Sequence, residues 1–313
     1  MKIAILDDYQ DACRMLDAWK KLAGHDVTVF RDTLTDETAL VERLKQFEGL
    51  VLIRERTRFT ASLLERLPNL RALSQTGKAG PHIDLAACKK LGIAILEGSG
   101  SPYATAELTW GLVLASMRRI PQEVENLRKG GWQQTVGRGL RGRTLGIYGF
   151  GRIGSVVAGY GKAFGMRVLV HGREGSLERA KAAGFDTVSG RDEFFSSCDV
   201  LSMHVRLIPE TRGLVTLRDL GLMKPDAVFV NTSRAELVEP GALAAGLVAG
   251  RPGFAAVDVY EEEPVLGAVH PLLSLSNAIC TPHLGYVEKD GYELYFGAAF
   301  DNLAAFAAGS GDA

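Results

Sequence analysis

The chain has 313 residues, 46% hydrophobic and 23% charged, with a formal net charge of −1. This suits a globular protein of about two domains and leaves no broad basic footprint for nucleic acid or an anionic membrane. The four scattered cysteines (Cys13, Cys88, Cys198, Cys280) form no C-x-x-C pair, no apolar run approaches the ~18 residues of a membrane span, and Met1-Lys2 leads into a stretch too short and acidic for a signal peptide; a reduced, cytoplasmic protein is expected.

The first hundred residues alternate strand and helix signals. Strand-like runs fall at Ile3–Leu6, Val27–Phe30, Leu50–Ile53, Leu70–Leu73 and Ile93–Leu96. Amphipathic segments lie between them, Thr35–Phe47 and Ile83–Leu91 among them. Such alternation predicts parallel βαβ units in an open sheet covered by helices, with ligands beyond the carboxyl ends of the strands. Two strand-end loops are polar: Arg54-Glu55-Arg56-Thr57 and Gln75-Thr76-Gly77-Lys78-Ala79-Gly80. The rival readings are a solvated charged loop and an ordinary glycine turn.

Gly98-Ser99-Gly100-Ser101-Pro102 is a breaker cluster and the expected crossover between domains. A long helix is predicted from Ala104 to Ile120, apolar on nearly all sides and so buried between domains or subunits. A Gly/Arg-rich surface excursion follows, to Gly142.

Leu145 to Gly172 organises the rest. A short apolar run reaches Tyr148, and Gly149, Gly151 and Gly154 follow at G-x-G-x-x-G spacing. Ile153, Val156, Val157 and Tyr160 then recur at helical intervals, and Val168–Val170 closes a strand–helix–strand unit. In that setting the first glycine permits the tight turn, the second admits a pyrophosphate and the third lets helix and strand pack. The helix N-terminus supplies N–H groups for the anion. In NAD-binding units a carboxylate ~20 residues on accepts hydrogen bonds from the ribose. Here that position is Gly172, followed by Arg173, with Ser176 nearby. Lack of the carboxylate removes the repulsion against a 2′-phosphate, and Arg173 supplies a cation for it. NADP(H) is therefore expected. The alternatives are NAD, with Glu174 turned to the ribose, and a merely solvated Arg173.

Further strands are predicted at Val200–Val205, Ala227–Val230, Phe254–Val259 and Ala278–Cys280, with a helix over Pro240–Ala249. A final apolar-faced helix, Val287–Ala308, returns to the first domain, and 309–313 is expected to fray. The strand ends carry Thr232-Ser233-Arg234, Asp258, Glu263 and His283. A histidine beside a carboxylate exchanges protons near neutral pH, and an arginine fork binds a carboxylate. With a nicotinamide site, these groups meet the needs of 2-hydroxy acid oxidation. Taken singly, His283 also reads as a core or capping histidine and Glu263 as part of a solvated acidic loop.

The motifs Leu145–Gly154, Met223-Lys224-Pro225 with Asn231–Ala235, Asp258–Pro264 and Thr281–Gly285 together resemble the D-isomer-specific 2-hydroxyacid dehydrogenases, the family of phosphoglycerate, glycerate and hydroxypyruvate/glyoxylate enzymes. The resemblance covers nearly the whole chain. It implies two doubly wound α/β domains, a Rossmann-type nucleotide domain (101–285) inserted into a flavodoxin-like substrate domain (1–100 and 286–313). It implies Arg234 as substrate anchor, Glu263 as the group orienting the histidine and His283 as acid/base. It implies cofactor contacts from Arg152, Ile153, Thr211, Thr232, Ser233 and Asp258; the expected cofactor site also takes in Gly149, Gly151, Gly154, Gly172, Arg173, Val205, Arg206 and Gly285. Asp258 is implied near the nicotinamide carboxamide. The turn Gly77-Lys78-Ala79 would hold the substrate carboxylate, with Arg54 at the substrate's far end. No metal is implied; the expected partners are a small 2-hydroxy or 2-keto acid and a second copy bound through the nucleotide domain. Ala79, Arg206 and Ala235 depart from the residues usual there (Gly, Pro and Gly). The expected activity is an NADPH-dependent keto-acid reductase of glyoxylate/hydroxypyruvate type. The alternatives are an NAD-dependent D-3-phosphoglycerate dehydrogenase and a nucleotide-sensing, corepressor-like scaffold.

Overall fold

The computed structural model describes residues 1–309. Of the expected frayed end, 310–313 lie outside the described residues. The chain forms two compact units, one of Met1–Ser101 together with the segment from Val287 on, the other of Pro102–Tyr286. Each holds one all-parallel sheet, as the alternating pattern predicts.

The first unit runs β1 (Lys2–Ile5), β2 (Asp26–Val29), α1 (Glu37–Leu44), β3 (Gly49–Leu52), α2 (Ala61–Glu65), β4 (Ala72–Gln75), α3 (Leu85–Leu91) and β5 (Ala94–Glu97). The strand order is β2-β1-β3-β4-β5, the flavodoxin-like order. Its helices start where side chains accept orphan backbone N–H groups: Asp36 from Ala39, Thr60 from Leu63, Asp84 from Ala87. Ala4, Leu40, Leu44, Leu50, Phe59, Leu63 and Leu73 meet in one core. The C-terminal helix, Lys289–Ala307, packs on β3, β4 and β5 of this unit. Ser74 donates from β4 to its Ala299 carbonyl at 2.9 Å.

The fourth strand begins two residues later than the apolar run Leu70–Leu73 predicts. Pairing decides this, since Ala72 is the residue opposite Gly49 and the ladder continues to Leu52 opposite Gln75. Leu70 is core but precedes the ladder.

The second unit opens with α4 (Tyr103–Arg118) and α5 (Ile120–Arg128), then β6 (Thr144–Tyr148), α6 (Arg152–Ala163), β7 (Arg167–His171), α7 (Glu174–Ala182) and β8 (Asp186–Thr187). There follow α8 (Arg191–Ser197), β9 (Val200–Met203), α9 (Leu217–Leu222), β10 (Val228–Asn231), α10 (Ala242–Val248), β11 (Phe254–Val257) and β12 (Ala278–Cys280). The order β8-β7-β6-β9-β10-β11-β12 reverses direction between β6 and β9. In such a sheet ligands bind at that switch point, beyond the carboxyl ends of the strands. The predicted helix Ala104–Ile120 ends two residues early, because Arg119 takes a left-handed conformation (φ 56°) and a separate helix starts at Ile120-Pro121.

The cysteines are free, three of them buried. Burial pushes the Cys88 thiol up to about 11 and Cys198 to about 12, so neither is a nucleophile at neutral pH. No helix among the described residues is long and apolar enough to cross a membrane.

Candidate active site

The second unit's site starts at the β6–α6 turn. Gly149 has φ 96°, and a Cβ there would come within 2.7 Å of the His204 carbonyl oxygen. A Cβ on Gly154 would collide with the Gly149 carbonyl oxygen, so the helix approaches the turn only because that residue is glycine. Around Gly151, by contrast, a Cβ would meet nothing within 4 Å. No side chain caps the twelve-residue helix it precedes. That open backbone face, at a helix N-terminus with no side-chain cap, fits a pyrophosphate. Arg152 and Ile153 form the first turn, Ile153 packing against the core.

Beside this turn, Gly172 sits at the end of β7 with φ 155°, its Cα side against Gly149. Arg173 is exposed and Ser176 half-buried. Arg179, which the sequence reading passed over, donates through Nη2 to the Phe150 carbonyl (3.0 Å) and lies 3.4 Å from Ser176 Oγ. Two cations and a hydroxyl thus flank the place where an NAD-type carboxylate is missing. Val205 lies against Gly149, and Arg206 is exposed. Thr211 is buried, its hydroxyl bound within its own loop to the Arg206 carbonyl (2.8 Å). That hydroxyl is already committed to holding the loop.

The ends of β10, β11 and β12 carry the polar groups. Ser233 donates to the Met203 carbonyl (2.7 Å), and Thr232 Oγ1 lies 2.7 Å from Thr109 Oγ1. Thr109 donates its own proton to the Thr105 carbonyl (2.7 Å), so Thr232 is the donor to Thr109. Asn231 accepts from Ser233 N–H (3.0 Å) and donates to the Arg234 carbonyl (2.8 Å), which fixes the backbone carrying Arg234. One Arg234 N–H goes to the Ser233 carbonyl at 2.7 Å.

His283 has φ 51° and its Nδ1 stands 2.6 Å from Glu263 Oε2. Glu263 accepts from Tyr260 N–H through its other oxygen (3.0 Å), and the Tyr260 hydroxyl donates to the Thr281 carbonyl (3.0 Å). The carboxylate therefore fixes the ring so that Nε2 is its proton-exchanging nitrogen. The His283 and Glu263 side chains keep 14% and 17% exposure, enough shelter to strengthen the pair.

Asp258 is fully buried and accepts three hydrogen bonds from the His283 loop: Thr281 Oγ1 (2.6 Å), Leu284 N–H (2.7 Å) and Gly285 N–H (2.8 Å). Burial raises its pKa above the ordinary carboxylate value, against those bonds and the His283 charge. The resemblance gives Asp258 a cofactor contact; the geometry adds the anchoring of the acid/base loop, a task that motif spacing does not disclose. Thr105 of α4 holds the same loop by donating to the Gly285 carbonyl (2.7 Å).

In the first unit, Arg54 has φ 56°, and its carbonyl accepts from Gln75 Nε2 at 2.7 Å. A Cβ on Gly77 would lie 3.4 Å from Arg54 Nη1, so the two predicted substrate loops adjoin. Asp7, missed by the sequence reading, is buried at the end of β1 and accepts from Thr57 (2.8 Å) and Thr33 (2.5 Å), tying down the Arg54–Thr57 loop. Lys78 and Ala79 both contact Glu97.

Residues 110–285 match the family model described as D-isomer specific 2-hydroxyacid dehydrogenase, NAD binding domain. The glyoxylate reductase of Aeropyrum pernix is 40% identical over 262 residues, 80% of this chain and 78% of the relative. The D-3-phosphoglycerate dehydrogenase of Methanocaldococcus jannaschii is 36% identical over 289 residues, 91% of this chain but only 53% of that longer protein. A solved structure described as phosphoglycerate oxidoreductase from Vibrio cholerae O395 is 56% identical, with a TM-score of 0.96 over 99% of each chain.

Proposed function

The chain belongs to the D-isomer-specific 2-hydroxyacid dehydrogenases, nicotinamide-dependent oxidoreductases acting on CH–OH groups, and from that premise we propose that it reduces a small 2-keto acid of glyoxylate or hydroxypyruvate type with NADPH. The observation that carries the chemistry is His283 held through Nδ1 by Glu263 at 2.6 Å, on a loop pinned by Asp258. The Gly149–Gly154 turn would hold the pyrophosphate of a nicotinamide cofactor, which would supply the hydride when bound. His283 Nε2 gives a proton to the keto oxygen as it becomes a hydroxyl, and takes it back in the reverse direction. Glu263 stabilises the imidazolium that oxidation creates. Arg234 fixes the substrate's carboxylate or carbonyl by its planar fork. The Gly77–Ala79 turn receives the carboxylate.

Support for NADPH comes from Gly172, Arg173, Ser176 and Arg179 around the ribose-reading position. The expected result is a higher kcat/KM with NADPH than with NADH and loss of that preference in Arg173→Ala. A clear NADH preference in the unmodified protein would refute this choice. A second reading, NAD-linked oxidation of D-3-phosphoglycerate, is favoured by the phosphoglycerate names of similar proteins. Rates on glyoxylate, hydroxypyruvate and phosphohydroxypyruvate with both nicotinamides decide between them. Absence of oxidation of either nicotinamide with all three would count against both readings and favour the nucleotide-sensing alternative.

We also infer a homodimer through the nucleotide-binding unit. Ile120, Val124 and Leu127 form one exposed stripe on α5, and Trp132 and Val136 stand 75% and 95% exposed on the segment after it. A face of this kind is normally covered by a partner. Sedimentation equilibrium checks it, and a monomer at micromolar concentration counts against it. The free thiols favour a reducing, cytoplasmic setting, which fractionation of the producing cells would test.

A further inference from the structure

The turn after β4 presents a seat for a carboxylate, and the chain fills it with its own side chain. The Ala79 N–H donates to Glu97 Oε1 at 2.8 Å, and Lys78 Nζ donates to Oε2 at 2.9 Å. One amide and one ammonium on the two oxygens of a carboxylate is also the donor set that a 2-keto acid's carboxylate requires.

The backbone brings Glu97 there. It is the last residue of β5 and pairs with Gln75, the last of β4. The next residue, Gly98, donates its N–H to the carbonyls of both Gln75 (3.0 Å) and Gly77 (2.9 Å). A Cβ on Gly98 would stand 3.0 Å from the Gln75 carbonyl oxygen, so the main chain is closely packed against the turn. Asn302 of the C-terminal helix holds the Glu97 carbonyl at 3.2 Å. The backbone is thus fixed without help from the carboxylate. The side chains themselves are open to water, 75% exposed for Lys78 and 37% for Glu97. An ion pair in that setting exchanges at little cost.

We propose that Glu97 is a specificity-determining residue: a resident carboxylate on the Ala79 amide that the substrate's carboxylate must displace. The proposal rests on the reading that this turn receives the substrate. It makes the turn selective for ligands that bring a full negative charge of their own. A neutral analogue cannot replace the lost Lys78 contact, whereas a carboxylate restores both donors. The bonds from Lys78 and Ala79 hold the Glu97 carboxyl below its ordinary pKa, so it stays ionised and competes throughout the neutral range.

The test is calorimetric titration of oxamate, an unreactive keto-acid mimic, into the full chain saturated with reduced nicotinamide. Glu97→Ala should bind oxamate about fivefold more tightly, the size expected for removing one exposed charged competitor. Glu97→Gln, which can still accept from Ala79 but has no charge for Lys78, should fall between. In turnover, both should lower KM and leave kcat unchanged. Affinities equal to or weaker than the parent's in both variants, with unchanged melting temperatures, overturn the proposal. Arg234→Ala separates the two layers of inference. If oxamate binds the parent, is lost in Arg234→Ala and is indifferent to Glu97, only the exchange is wrong. If oxamate binds no form, the keto-acid reading falls and the exchange falls with it.

Discussion

His283→Ala should lower turnover about 10²–10⁴-fold while nicotinamide binding survives. The loss follows from the position of one nitrogen. Nδ1 is committed to Glu263, so Nε2 alone moves the substrate's proton, and alanine offers no substitute. Nicotinamide affinity should change little, because the ring is not part of the β6–α6 turn. Glu263→Gln should cost less than His283→Ala, since the imidazole remains, but glutamine's single carbonyl oxygen can accept from Nδ1 or from Tyr260 N–H and not from both, and it carries no charge to stabilise imidazolium. Steady-state rates with fluorescence titration of the nicotinamide separate the effects. Near-parental turnover in His283→Ala would remove the acid/base assignment.

Arg234→Ala should reduce kcat/KM for a keto acid about 10²-fold, as expected when charge-assisted hydrogen bonds of ~1.5–3 kcal/mol are lost. The side chain is well prepared for this work. Asn231 locks its backbone carbonyl, and Ser233 takes one guanidinium N–H. Arg234→Lys should recover only part of the loss, because an ammonium is a point charge and cannot make two parallel bonds to a planar group. A value within twofold of the parent in Arg234→Ala would show that another group anchors the substrate.

How far these sites could be read from the sequence depended on whether their partners were near in the chain. The β6–α6 turn was legible because strand, glycines and helix are contiguous and each residue type has a local steric reason. Arg234, Glu263 and His283 were legible as polar residues after apolar runs, and the parallel sheet made their convergence expected. The anchoring role of Asp258 was not, because its three donors lie 23 to 27 residues on, in a loop whose path only the fold defines. Glu97 was hidden for a similar reason: it meets Ala79 through the pairing of β4 with β5. The short helices α7, α8 and α9 give weak periodicity and are not predicted. Their amphipathic stripes are too brief to rise above the flanking loops. Arg119 was read as helix because nothing in its side chain announces a left-handed backbone.

The C-terminal helix has a consequence for assembly of the chain. It covers β3, β4 and β5, and its Ala299 carbonyl meets Ser74 across 225 residues of sequence. The strands of the first unit are made before the second unit, yet one of their covering layers is made after it. Until then β3, β4 and β5 lack the cover that this helix supplies, and the apolar residues beneath it stay open to wrong partners. The second unit, a single continuous segment, carries all its own contacts as soon as it is made. Closing the distant segment onto the first unit costs less once the intervening residues are compact than it would through a random coil of that length. The unit begun before the other is therefore completed after it.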